Sequence, residues 1–211
     1  MPLQLPIYRE ANANISDTLT EADRDEMQRQ AELAIAHLLM ALRIDQTQDP
    51  NTQDTAKRVA KMYVREVFAG RYEPMPKITT FPNTKKLDEV YTVGPITVRS
   101  ACSHHLVPIT GQVWVGVIPG NTLIGLSKFT RLANWVMRRP QIQEEAVVML
   151  ADLLEEQLKP KALAVVLKAS HHCMTWRGVE DHDTIMTSSV MRGAFRDHPE
   201  ARAEFFKLIG G

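Results

Sequence analysis

Val90-Tyr91-Thr92-Val93-Gly94-Pro95-Ile96-Thr97-Val98-Arg99-Ser100 is the stretch at which the chain changes character. β-Branched and aromatic residues lie on both sides of Gly94-Pro95, so 90–93 and 96–100 read as two strands separated by a turn signal. Residues 113–118, bounded by Pro108, Gly111 and Pro119-Gly120, read as a third strand, and 162–169 and 183–189 as two more. Short strands with such punctuation are expected to pair antiparallel.

Upstream of this stretch the period is helical. Met27, Ala31, Ala34, Leu38 and Leu42 recur at steps of three or four and predict a helix over about 21–43 with one apolar stripe. Residues 45–54, with Pro50 and Asn51, read as a loop. A second helix is expected over 54–69, carrying Val59, Met62, Tyr63 and Val67 and stopping at Gly70. The prolines at 74, 76 and 82 mark 71–82 as a connection.

Downstream, a helical block over 127–158 is split in two by Pro140, with Ile142, Ala146, Met149, Leu150, Leu153 and Leu154 on its core face. A last helix is expected over 199–208. Helices first, then strand groups separated by a helix pair, make an α+β plan. Its parts are an N-terminal arm (1–20), an N-terminal helical region (21–86) and a catalytic domain (87–211).

The 211 residues suffice for one sizeable core, and 25 basic residues balance 25 acidic ones. A neutral chain has no global field to draw it to nucleic acid or to an anionic surface, so an anionic ligand must be caught by a local cluster. No apolar run approaches the roughly 20 residues of a membrane span. Residues 1–19 carry Arg9, Glu10 and Asp17 and lack the apolar centre of a secretory signal. Nucleic-acid and membrane partners are not expected, and a cytoplasmic location is.

The chain has two cysteines, each beside histidines: Cys102-Ser103-His104-His105 and His171-His172-Cys173. Two thiolates and an imidazole suit Zn²⁺ and leave a fourth position open, the arrangement of a catalytic site. On that reading Cys102, His105 and Cys173 are the ligands, and His104 and His171 carry protons beside them. The competing reading makes both cysteines small buried hydrophobes. The interval between the segments matches no finger-type spacing, and a disulfide is disfavoured in a reducing compartment.

Taken together, several segments resemble the GTP cyclohydrolase I family. They are Cys102-Ser103-His104-His105-Leu106-Val107-Pro108, Gly125-Leu126-Ser127-Lys128, Arg138-Arg139-Pro140-Gln141-Ile142-Gln143-Glu144 and His171-His172-Cys173-Met174-Thr175-Trp176-Arg177-Gly178, in that order, with Arg58-Val59-Ala60-Lys61-Met62-Tyr63 upstream. The resemblance runs from about residue 25 to the end. It implies a tunnelling fold, an antiparallel β-sheet backed by a helix pair, with an N-terminal helical extension, assembled into a homodecamer with sites between subunits. The implied reaction opens the guanine imidazole ring of GTP, releases C8 as formate and yields 7,8-dihydroneopterin triphosphate.

Under that resemblance each residue acquires a task. Zinc on Cys102, His105 and Cys173 would lower the pKa of a water toward neutrality. His104 and His171 would protonate N7 and the ribose ring oxygen. Ser127, Lys128, Arg131 and Arg177 would hold the ribose and triphosphate, with Arg58 and Lys61 reaching in from a neighbouring subunit. Glu144 would accept from N1–H and the exocyclic amine of guanine, and Gln143 would pair with the remaining edge.

The chain departs from the family pattern at Ser103, where Glu is usual, at Ala56, at Glu145 and at His172. A specialised paralogue, or another tunnelling-fold enzyme acting on a pterin or deazaguanine with a cysteine as nucleophile, is the alternative. A zinc-stabilised regulatory assembly is the non-enzymatic one.

Overall fold

The structure is a computed structural model that describes residues 8–210; the first seven residues of the expected arm lie outside the described residues. The chain divides into two compact units, one ending at Pro74 and the other starting at Met75.

In the first unit, helix α1 (Glu21–Ala41) starts at a reciprocal cap. The Thr20 hydroxyl accepts from the Asp23 amide at 3.2 Å, and the Asp23 carboxylate accepts from the Thr20 amide at 2.8 Å. Helix α2 (Thr55–Lys61) runs into a π-helical turn over Met62–Val67, followed by α3 (Ala69–Tyr72). The second helix therefore continues past Gly70. Asn14 binds the carbonyls of Gly70 and Glu73 at 2.9 and 2.8 Å, which ties residues before α1 to α3.

The apolar stripe expected of α1 is not the packed face. Leu38 and Leu42 are exposed, while Leu39 is buried. The packed side is organised by Arg65, which donates to Glu21 at 2.5 Å, to Gln28 at 3.2 Å and to Asp25. These three residues sit at helical steps of four and three, so a polar ladder sets the helix rotation, and an apolar period could not reveal it.

In the second unit, strands β2 (Tyr91–Cys102), β3 (Pro108–Ile118), β6 (Ala162–His171) and β7 (Met186–Gly193) pair antiparallel in that order. The two strands expected at 90–100 are one: the register steps from Val93↔Val115 to Ile96↔Val113, so Gly94-Pro95 forms a bulge inside β2. A short β5 (Pro140–Gln141) adds to the edge parallel to β2, pairing Cys102 with Gln141. Strand β1 (Thr80–Pro82), in the stretch expected to be pure connection, pairs with β4 (Thr122–Ile124).

Helices α4 (Leu126–Met137) and α5 (Gln143–Leu158) lie on either side of Pro140, as its position predicts. Leu132, Val136, Leu150 and Leu154 pack on the face formed by Val113, Val115 and Val117 of β3 and Leu163, Val165 and Leu167 of β6. After β6 comes a single helical turn, α6 (His172–Thr175); after β7 come α7 (Ala194–Asp197) and α8 (Pro199–Leu208). Phe195 and Phe205 cover the opposite face of β6 at Ala162, Ala164 and Val166. Glycine is required beneath α8, because a Cβ at Gly116 would stand 2.4 Å from the Phe205 ring. Among the described residues no helix is long and apolar enough to cross a membrane.

Candidate functional site

The site grows from the ends of β2 and β6, which flank β3. Cys102 closes β2, and a tight loop follows: the Leu106 amide donates to the Cys102 carbonyl at 2.8 Å, and the Cys102 amide to the Val107 carbonyl at 2.9 Å. Leu106 takes a left-handed φ of 55°, a backbone that a branched residue holds only when its surroundings impose it. That turn places His104 and His105 beside the cysteine. Their Nδ1 atoms lie 3.8 and 3.9 Å from the Cys102 Sγ.

Cys173 arrives from the other side, on α6 directly after β6. Ligand atoms of Cys102, His105 and Cys173 all lie within 4.8 Å of one another. A tetrahedral ion with sulfur at about 2.3 Å and nitrogen at about 2.0–2.1 Å needs ligand separations of roughly 3.5–3.8 Å. The cluster can therefore hold a metal ion after a contraction of about 1 Å. Cys102 is buried, Cys173 is half-buried and His105 is exposed, so the cluster has a closed side and an open one. Burial, and then the neighbouring Cys102 thiol, hold the Cys173 thiol above its usual range, so a cation binding there must displace a proton.

His171 is the last residue of β6. Its Nε2 lies 2.8 Å from the Gln143 Oε1 at the start of α5. Burial lowers the pKa of His171, and the charge of Glu144 partly opposes that. Gln143 is itself buried, and its Nε2 contacts the Leu167 and Met186 carbonyls and the Ser188 hydroxyl at 3.2, 3.1 and 2.9 Å. Its neighbour Glu144 is exposed on the first turn of α5.

The cations are distributed unevenly. Arg177 reaches the cluster, donating to the His105 Nε2 at 3.2 Å. Ser127 and Arg131 are exposed on the first turns of α4, and Lys128 donates to the Lys77 carbonyl at 3.2 Å. Arg58 and Lys61 belong to α2 of the first unit, where Arg58 pairs with Asp54 at 3.2 Å on the surface.

Sequence reasoning overlooked Gln141. Fully buried, its side-chain amide donates to the Ser100 hydroxyl and the Val136 and Met137 carbonyls, while its backbone carbonyl accepts from the Ser103 amide at 3.3 Å. It fixes the edge on which Cys102 sits. A glutamine beside a proline carries no pattern that would single it out.

Comparison with known proteins follows from this geometry. Residues 31–210 match the GTP cyclohydrolase I family. A protein named GTP cyclohydrolase 1 from Photobacterium profundum is 40% identical over 187 residues, covering 88% of this chain and 86% of the relative. Proteins of the same name from Vibrio vulnificus and Yersinia pseudotuberculosis are 38% and 36% identical, covering 86% and 90% of this chain and 84% and 86% of their own.

Proposed function

From its membership of the GTP cyclohydrolase I family, to which this chain belongs, we propose that the protein is a zinc-dependent GTP cyclohydrolase converting GTP and water to formate and 7,8-dihydroneopterin triphosphate. The observation that carries the proposal is the convergence of Cys102, His105 and Cys173 within 4.8 Å. Two soft sulfur donors and one imidazole suit zinc and leave a coordination position open. Bound there, zinc would supply Lewis acidity and a water acidic enough to attack C8 near neutral pH.

The remaining work falls to the chain's own groups. His104, whose Nδ1 lies 3.8 Å from the Cys102 sulfur, would deliver a proton to N7 as the imidazole ring opens. His171, whose burial favours the neutral imidazole, would exchange a proton with the ribose ring oxygen. Glu144 offers its carboxylate to the N1–H and exocyclic amine of guanine; adenine has no such donor pair and would leave that charge unmatched. Ser127, Lys128, Arg131 and Arg177 bind the ribose and triphosphate, joined by Arg58 and Lys61 of a neighbouring subunit in a homodecamer.

The antiparallel β2-β3-β6-β7 sheet with α4 and α5 on one face supports assigning the tunnelling fold. Two unpaired cysteines at the heart of the site suit the reducing cytoplasm. The direct test incubates zinc-loaded protein with GTP and measures formate together with a fluorescent oxidised neopterin. Zinc at about one per chain with both products supports the assignment, and absence of formate refutes it.

A further inference from the structure

We propose that Gln143 is a positioning residue for His171, fixing its tautomer so that Nδ1 is the nitrogen that exchanges protons with substrate, and is not a reader of guanine. The inference deepens the reading above and rests on it for the substrate. Its physical basis is a chain of hydrogen bonds with only one self-consistent assignment.

Gln143 is 1% exposed and lies between α5, β6 and β7. One end of its amide faces the carbonyl oxygens of Leu167 and Met186, at 3.2 and 3.1 Å, and both are acceptors only. That end must be the NH₂ group; the flipped amide would set oxygen against two oxygens in the core. With the Ser188 hydroxyl at 2.9 Å, its two hydrogens are fully committed. The other end is then Oε1, an acceptor, 2.8 Å from the His171 Nε2. His171 must donate from Nε2. A neutral imidazole carries one N–H, so its Nδ1 holds the free lone pair. An amide so committed inside the core has no hydrogen left for a purine.

The test has two arms on the zinc-loaded enzyme. In protein labelled with ¹⁵N-histidine, long-range correlation spectra recorded above the imidazole titration range, with His171 identified by the signal lost in His171→Asn, are expected to show a protonated Nε2 and a bare Nδ1. A proton on Nδ1 overturns the proposal. In kinetics, Gln143→Met is expected to lower kcat about tenfold to a hundredfold, the usual loss when a group orienting a catalytic imidazole is removed, with KM for GTP changed less than twofold. Unchanged kcat, or a KM raised tenfold or more, overturns the proposal. Should the buried substitution fail to fold, the spectroscopic arm on the parent decides alone. Failure of the parent to release formate from GTP would sink the proposed function while leaving the tautomer readout intact.

Discussion

Replacing Glu144 with glutamine should lower discrimination between GTP and ITP. Glu144 is exposed on the first turn of α5 and forms no ion pair among the described residues, so its carboxylate meets a ligand without first breaking an internal bond. In GTP it would face two donors, N1–H and the exocyclic amine; in ITP only the first remains. Hydrogen bonds to a charged group contribute about 1.5–3 kcal/mol. Exchanging the carboxylate for an amide, one of whose ends is itself a donor, should therefore lower kcat/KM for GTP by about ten- to one-hundred-and-fifty-fold.

ITP should suffer much less from the same change, so the GTP-to-ITP ratio of kcat/KM falls toward unity. The helix survives because Glu145 remains in the first turn and the lost dipole interaction is worth only about 0.3–1 kcal/mol. The assay is formate release from each nucleotide at fixed ionic strength, with zinc content checked in parallel. An unchanged GTP-to-ITP ratio in Glu144→Gln would remove this carboxylate from base recognition.

Three further outcomes are expected. Cys102→Ser and Cys173→Ser should each lose bound zinc and turnover together, because a hydroxyl is a poor substitute for a thiolate; metal analysis showing full occupancy in either variant would mean the ligands are misassigned. His104→Ala should keep its zinc while turnover falls roughly a hundredfold to ten-thousandfold, the usual loss for a positioned acid or base, and near-parent rates would exclude it from proton transfer. Phe205→Ala, at a fully buried ring packed 5.5 Å from Phe195, should cost about 3–5 kcal/mol and lower the melting temperature by about 6–20 °C; a drop under about 3 °C would show that α8 contributes little to the sheet unit.

The grouping of Cys102, His105 and Cys173 was legible in the sequence because the residue types that suit a metal ion stand out locally. Cys102 and His105 are three positions apart, and Cys173 follows a strand, so residue type and strand ends together bring the donors near each other. Pro140 was equally transparent, since its effect on a helix does not depend on distant partners. The orientation of α1 was not, because Arg65 chooses the packed side through Glu21, Asp25 and Gln28, and hydrophobic periodicity ignores such ladders. Nor could a motif disclose that the amide of Gln143 is spent inside the core: Leu167 and Met186, whose carbonyls it contacts, are remote in sequence and meet it only once β6 and β7 pair. The single strand across Gly94-Pro95 escaped for a related reason, as a bulge and a turn share the same residues.

Strand β6 is enclosed from both sides, by Leu150 and Leu154 on one face and by Phe195 and Phe205 on the other, with β3 and β7 along its edges. Its central amides should be among the slowest in the unit to exchange with solvent hydrogen. His171 and Cys173 leave the end of this strand, so the Cys173 side of the donor cluster is anchored to the apolar interior before any cation arrives. Loading an ion then asks for a contraction of about 1 Å, not for donors to be gathered from afar.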